Sequence, residues 1–174
     1  MIEWGDVVEY FDYHKDGYLV RLKKTSSRTK VGERVGGLSG HGRLALSFGN
    51  RKYYLHRLIF LWHHGYLPKY VDHIDRDVLN NRIENLRECT HTQNMRNRTK
   101  VKNTSSGYTG VYLSRNRWQA QIKIEGKQTR IGSFTTEEEA ARAYDYRLLQ
   151  VDPEFGNFNF PEENGIDGQA RCAL

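Results

Sequence analysis

The chain has 174 residues, of which 37% are hydrophobic and 28% charged, with a net charge of +6. That length fits one or two small domains, each with a thin core. No apolar run approaches the roughly 20 residues that span a bilayer; the longest candidate, Leu58–Trp62, runs straight into His63 and His64. The acidic start at Glu3, with no apolar stretch behind it, argues against a signal peptide. Cys89 and Cys172 are distant from one another and read as reduced thiols rather than a disulfide framework.

In chain order, the first 55 residues read as short strands and turns. Tyr18–Leu22 alternates large and polar side chains, and Arg43–Phe48 and Lys52–Leu55 flank Gly49-Asn50, a two-residue hairpin signal. Thr25–Gly42 is rich in Gly, Ser, Thr and cations and reads as a long loop or hairpin tip. His56–His64 predicts a helix stopped by Gly65 and Pro68; His56, His63 and His64 within it read as packing or surface residues. Val71–His73 predicts a strand and Leu86–Cys89 a second, joined by a polar loop to about Ile83 in which Asn80-Asn81 looks like loop punctuation. Thr90–Arg98 predicts a helix.

The segment 71–94 carries the chemistry. Asp72 and His73 are adjacent, Asn85 follows His73 by twelve residues, and Asn94 comes nine later. A carboxylate suits a hard cation that keeps waters for substrate. A neutral imidazole beside it can take a proton from water near pH 7. Neighbouring strand residues point to opposite sides, so the pair can separate these two tasks. Over residues 10–98, and most closely over 71–94, the sequence resembles the HNH endonucleases of the phage homing and free-standing type. The resemblance implies a strand–loop–strand–helix ββα-metal fold with His73 as general base and Asn85 orienting it by a hydrogen bond. It implies that Asp72 and Asn94 hold a divalent metal, Mg²⁺ first and Mn²⁺ as the alternative. Many relatives have His where Asn94 stands; an Asn still offers an oxygen. His91, three residues before Asn94, would share its helical face as a second-sphere or phosphate-contacting residue. Two cysteines are too few for a four-Cys zinc scaffold, so no structural zinc is expected.

Residues 95–130 hold nine cations against the single acid Glu125, so this block is +8 and the remaining chain −2. A concentrated basic block is the footprint of a polyanion partner. Thr99–Ser106 lacks hydrophobic periodicity and reads as a linker. Beyond it, Gly110–Ser114, Arg117–Ile124 and Gln128–Phe134 alternate with period two. An amphipathic helix follows, capped by Thr135 or Thr136 with Glu138 or Glu139 completing the box. A three-stranded antiparallel sheet backed by one helix results, with Trp118, Ala120 and Ile122 inward. Tyr112, Ser114, Gln119, Gln121, Lys123, Gln128 and Arg130 share the polar face, suited to groove reading. The strings Tyr108-Thr109-Gly110-Val111, Arg117-Trp118-Gln119-Ala120, Arg130-Ile131-Gly132-Ser133-Phe134, the helix 138–145 and Phe158-Asn159-Phe160-Pro161 resemble the Apetala-type DNA-binding domain of plant ethylene-response factors. Tyr112 and Ser114 stand where plant domains place arginines, so their GC-rich preference is not carried over.

The expected organisation is α+β: an HNH nuclease domain at 1–98, a basic linker at 99–106, a DNA-binding domain at 107–161 and a flexible tail at 162–174. The expected function is a metal-dependent, strand-nicking, homing-type DNA endonuclease. Arg96, Arg98, Lys100, Lys102, Arg115 and Arg117 join the polar sheet face in contacting double-stranded DNA. The expected state is a monomer or weak dimer in the cytoplasm, of the host cell if phage-encoded, with no membrane partner. The alternative is a DNA-binding regulator with an inactive nuclease fold. An RNA-directed nuclease ranks below both, because the sheet lacks exposed aromatic pairs for stacking single-stranded bases.

Overall fold

A computed structural model describes residues 2–97 and 105–164, without the side chain of Arg96. It is a mixed α/β structure in which every sheet is small and antiparallel. The chain divides into two units, Met1–Cys89 and Thr90–Leu174.

The first unit opens with helix α1 (Trp4–Tyr10), where the sequence predicts strands and turns. Its start is a capping box built from Glu3 and Asp6 instead of Ser or Thr, and its one fully buried side chain is Val7. Both signals are weak in the sequence, which is why the helix is hard to read there. Strands β1 (Phe11–His14), β2 (Tyr18–Arg21) and β3 (Arg34–Val35) form one sheet; β4 (Gly37–Leu38), β5 (Leu44–Phe48) and β6 (Arg51–Tyr54) form a second. The β3 and β4 strands lie inside the stretch read as a loop. Gly49 adopts φ +59° in the β5–β6 turn, as the hairpin signal requires.

Helix α2 (Leu55–His64) ends at Gly65 in the left-handed region. It buries Leu55, Leu58, Ile59, Phe60 and Leu61 against Val7, Phe11, Leu19, Leu46, Val71 and Leu86. Its Arg57 guanidinium donates to the carbonyls of Pro68 and Lys69, which pins the chain just before β7 (Tyr70–His73). Strand β7 pairs with β8 (Leu86–Cys89), with Asp72 opposite Arg87 and His73 opposite Leu86. A 3₁₀ turn at Ile83–Asn85 leads into β8.

His56, on the first turn of α2, is 3% exposed, and its ring lies 5.0 Å from that of His73. Burial, with the charges of its surroundings, pushes its pKa down to about 3, so the folded unit holds it neutral.

The second unit begins with α3 (His91–Arg96), capped by Thr90, whose side chain accepts from the Gln93 N–H. Strands β9 (Val111–Ser114), β10 (Arg117–Ile124) and β11 (Lys127–Phe134) form an antiparallel sheet ordered β11-β10-β9. Helix α4 (Glu137–Val151), capped by Thr136 and Glu139, sets Ala140 and Ala141 against Val111 and Ala120. Tyr144 and Leu148 pack with Ile122 and Phe158. Asp145, 1% exposed, accepts from the N–H groups of Asn159 and Phe160 and from the Asn164 amide. That network fastens the segment after α4. Gly110 has φ +75°, and a Cβ there would collide with the Tyr144 ring and lie 2.8 Å from the Gln121 carbonyl oxygen. Residue 98, most of the expected linker (99–104) and most of the expected tail (165–174) lie outside the described residues.

Gly110→Ala combines a left-handed backbone with a clash against Tyr144, so it should destabilise the second unit by about 3 kcal/mol, read by urea denaturation. For His56, the folded pKa lies below the unfolded one of about 6.5. Between those values the unfolded chain binds the extra proton, so stability is complete above pH 6.5 and drains away as pH falls toward about 3. Melting temperatures from pH 7 to 4 should therefore fall more gently for His56→Leu than for the parent chain.

Candidate active site

The loop between β7 and β8 is polar and has little apolar surface to fold on, so hydrogen bonds shape it. Asn85 does most of this. Its Nδ2 donates to Asp75 Oδ1 and to the Asn80 carbonyl, each at 2.8 Å, and its Oδ1 accepts from the Asp75 N–H at 3.0 Å. Its backbone carbonyl accepts from the Ile74 N–H. The expected hydrogen bond from Asn85 to His73 is thus replaced: the Asn85 amide is committed to closing the loop.

The residue that meets His73 is Asn81. Its Oδ1 lies 2.9 Å from His73 Nε2, and both side chains are buried, at 1% and 3% exposure. With the carboxamide in this orientation Oδ1 can only accept, so Nε2 carries the ring proton and the basic lone pair falls on Nδ1. The Asn81 Nδ2 is buried without a hydrogen-bond partner among the described residues. An unmet buried donor costs roughly 1–3 kcal/mol, which the site bears. Asn81 reads in the sequence as loop punctuation; no local signal marks it.

The loop is also buttressed from the N-terminal hairpin. Gly17, at φ +82° between β1 and β2, leaves no room for a side chain: a Cβ there would sit 2.5 Å from the Arg82 nitrogen and 2.6 Å from the Asn81 carbonyl carbon. Tyr13 Oη accepts from the Ile83 N–H at 3.1 Å, and Asp16 pairs with Arg82 at 3.4 Å.

Asp72 is 8% exposed, and its Oδ2 lies 3.3 Å from Arg87 Nη2. The guanidinium offsets a buried carboxylate that would otherwise be costly. Burial holds the His73 pKa below its ordinary value, outweighing the opposing pull of Asn81 and of the acids Asp72 and Asp75. The ring is therefore neutral at pH 7, as a proton acceptor must be. Among the described residues no three His, Cys, Asp or Glu side chains come together. A single buried carboxylate as the first unit's donor fits a hard cation that retains most of its waters.

In the second unit, Asn94 is half-buried on α3, and its N–H donates to the Thr90 carbonyl. His91 is exposed at the start of the same helix. On the sheet, the register sets Ser114 opposite Arg117, Tyr112 and Ser133 opposite Gln119, Arg130 opposite Gln121, and Gln128 opposite Lys123. A bulge between Ala120 and Gln121 keeps these rows on one face. Gln119 departs from the expectation of a projecting residue: it is 8% exposed and its Nε2 donates to Ser133 Oγ at 2.8 Å. Arg115, Arg117, Lys123, Gln128 and Arg130 are exposed. Arg98, Lys100, Lys102 and the Arg96 side chain lie outside the described residues. Cys89 is buried, with its thiol pushed up to about 11 by burial, so it is unreactive. No helix among the described residues is long and apolar enough to cross a membrane.

Residues 53–96 match the model of the HNH endonuclease family. An uncharacterized HNH endonuclease of Acanthamoeba polyphaga mimivirus is 39% identical over 132 residues, covering 74% of this chain and 66% of that protein. A protein of Escherichia phage T7 is 37% identical over 78 residues, covering 41% of this chain and 64% of its own length. An ethylene-responsive transcription factor-like protein of Arabidopsis thaliana is 46% identical over 54 residues, covering 31% of this chain and 24% of that protein. The chain thus spans just under two thirds of the length of its viral relatives. It carries an HNH endonuclease domain at residues 53–96, a domain of the nuclease hydrolases.

Proposed function

We propose that the protein is a metal-dependent endonuclease that nicks double-stranded DNA, with the second unit supplying DNA affinity and site preference. The observation that carries this reading is His73: a buried, neutral imidazole whose proton is held on Nε2 by Asn81, beside the carboxylate of Asp72. His73 takes a proton from a water through Nδ1 as that water attacks phosphorus in line. Asp72, with Asn94 as a second oxygen donor on the family pattern, would hold a divalent cation, Mg²⁺ in this reading, which supplies charge neutralisation at the departing 3′ oxygen. Products carry 5′-phosphate and 3′-hydroxyl ends. Asn85 contributes by holding the loop that brings Asn81 to the ring, and Arg87 pairs with the Asp72 carboxylate at 3.3 Å.

On the sheet face, Arg115, Arg117, Lys123 and Arg130 provide the cations and Tyr112, Ser114, Gln121 and Gln128 the groups for base edges, while Gln119 supports Ser133. The likeness to a plant ethylene-responsive transcription factor-like protein over 54 residues supports DNA as the ligand. Arg96, Arg98, Lys100, Lys102 and His91 extend the proposed contact surface. One nuclease centre per chain cuts one strand, so a monomer nicks. The proposed role is homing-type, in the cytoplasm of an infected host if the chain is phage-encoded; the likeness to viral proteins supports the viral setting.

Supercoiled plasmid incubated with Mg²⁺ should pass to the open-circular form, and EDTA should stop it. His73→Ala should abolish nicking with DNA binding nearly unchanged; tight, salt-sensitive binding without nicking by the parent chain would instead favour a DNA-binding regulator. Asn81→Ala frees the ring to turn and to change tautomer, so kcat should drop about 10²-fold with little change in KM, measured by steady-state nicking. Replacing Arg117 and Arg130 by Ala should flatten the slope of log Kd against log salt by about 0.9 for each phosphate that is no longer neutralised.

A further inference from the structure

Residues 22–33, the loop between β2 and β3, are rich in Ser, Thr and cations. The loop is nevertheless tied closed, and the tie is Arg21. Its guanidinium is buried, at 5% exposure, and a buried charge is costly unless paired. Nε donates to Glu33 Oε1 at 2.8 Å and Nη1 to Thr25 Oγ1 at 2.7 Å, so one side chain grips both ends of the loop. The backbone does the same. The Arg21 N–H donates to the Glu33 carbonyl at 3.0 Å, and the Gly32 N–H donates to the Arg21 carbonyl at 2.8 Å. Inside the loop, Thr29 Oγ1 accepts from the N–H groups of Thr25 and Ser26 and donates to the Ser26 carbonyl.

This closure decides which charges are left facing solvent. The loop carries Lys23, Lys24, Arg28 and Lys30 against a single acid, Glu33. Arg21 takes Glu33, and Lys23 pairs with Glu9 at 2.8 Å. Lys24, Arg28 and Lys30 are exposed and make no ion pair among the described residues. Arg34, at the start of β3, lies 4.6 Å over the Tyr18 ring and carries the positive strip onto the sheet. A face that only needed solvation would intersperse both signs; here the one acid is committed to a buried partner. Residues 15–52 as a whole hold ten Lys and Arg against two acids, a charge that the net −2 outside residues 95–130 conceals. Cations on a loop that is already tied lose less freedom on binding than cations on a free one.

We propose that the β2–β3 loop is a phosphate-binding surface in which Lys24, Arg28 and Lys30 contact the backbone of duplex DNA. The inference rests on the nuclease reading above, which makes duplex DNA the polyanion, and deepens it. It gives the first unit a DNA contact of its own, outside the segment that matches the family. That contact is separate from the cleavage chemistry. The Gly17 turn at one end of β2 abuts Asn81 and Arg82, whereas residues 22–33 leave from the other end, roughly 10 Å along the strand. The three cations therefore add affinity without reading sequence or touching the scissile phosphate.

The test uses the full chain and a duplex of arbitrary sequence in EDTA, with binding followed by fluorescence anisotropy from about 50 to 200 mM salt. Lys24→Ala, Arg28→Ala and Lys30→Ala combined should flatten the slope of log Kd against log salt by about 2.7, or about 0.9 for each lost phosphate contact. Binding should weaken roughly tenfold or more with the melting temperature unchanged. Replacing Lys24 and Lys30 by Arg should keep the parent slope. In Mg²⁺-dependent plasmid nicking the triple variant should raise KM and leave kcat at the parent value. A parent-like slope in the triple variant overturns the proposal. So does an equal flattening when the exposed Lys15, Arg51 and Lys52 are changed to Ala instead, because overall charge then accounts for the effect. Loss of binding to single-stranded RNA with duplex binding untouched assigns the loop to another partner and overturns it as well. Anisotropy needs no cleavage, so a parent chain that binds duplex but fails to nick refutes the nuclease reading and leaves the loop to be judged on its slope.

Discussion

The candidate site depends on a single side-chain amide closing a polar loop. Between β7 and β8 the chain runs through Asp75, Arg76, Asp77, Asn80, Asn81 and Arg82, residues that cannot fold by burying apolar surface. Asn85 supplies what hydrophobic contact cannot. By bonding Asp75 at two atoms and the Asn80 carbonyl at a third, it sets the path on which Asn81 arrives inside the unit and meets His73. Hydrogen bonds net only about 1 kcal/mol each, so the loop also needs its external support. The tight turn at Gly17, the Tyr13 hydroxyl and the Asp16 carboxylate provide that support.

Burial and charge are balanced around this loop in a consistent direction. Burial keeps His56 and His73 neutral, while Asp72 keeps a guanidinium nearby in Arg87. The second unit is held together differently. Its core consists of two small clusters under α4, and Asp145 compensates by tying the following segment with backbone and amide donors.

How legible each feature was follows from the range of the forces that make it. Helix α2 and strand β8 were legible within a residue or so, because their apolar patterning and the Gly65 stop are local. So was α4, whose Thr136–Glu139 box is a strong start signal. Helix α1 was not, since an acidic cap and one buried valine leave almost no pattern. The placement of Asp72 and His73 side by side on one strand was legible from their adjacency and from the alternation around them. The direct Asn85–His73 contact was not obtained, because the Asn85 amide is turned to Asp75 and the Asn80 carbonyl, a choice only the folded loop makes. Asn81 was invisible because its partner, His73, is brought close only by the folding of the loop. Gln119 read as projecting because period two gives its side of the sheet but not the neighbour, Ser133, that covers it.

By itself the sequence determined the alternation and caps of the main elements, the basic blocks, and the pairing of a carboxylate with an imidazole on one strand. These are properties of residues one to four positions apart, where geometry is dictated by the helix turn and the strand pleat. Only the tertiary structure decided which amide meets His73 and which tautomer that amide selects. That contact joins groups from separate elements, and a hydrogen bond is made or missed by less than an ångström, a margin no sequence spacing can express.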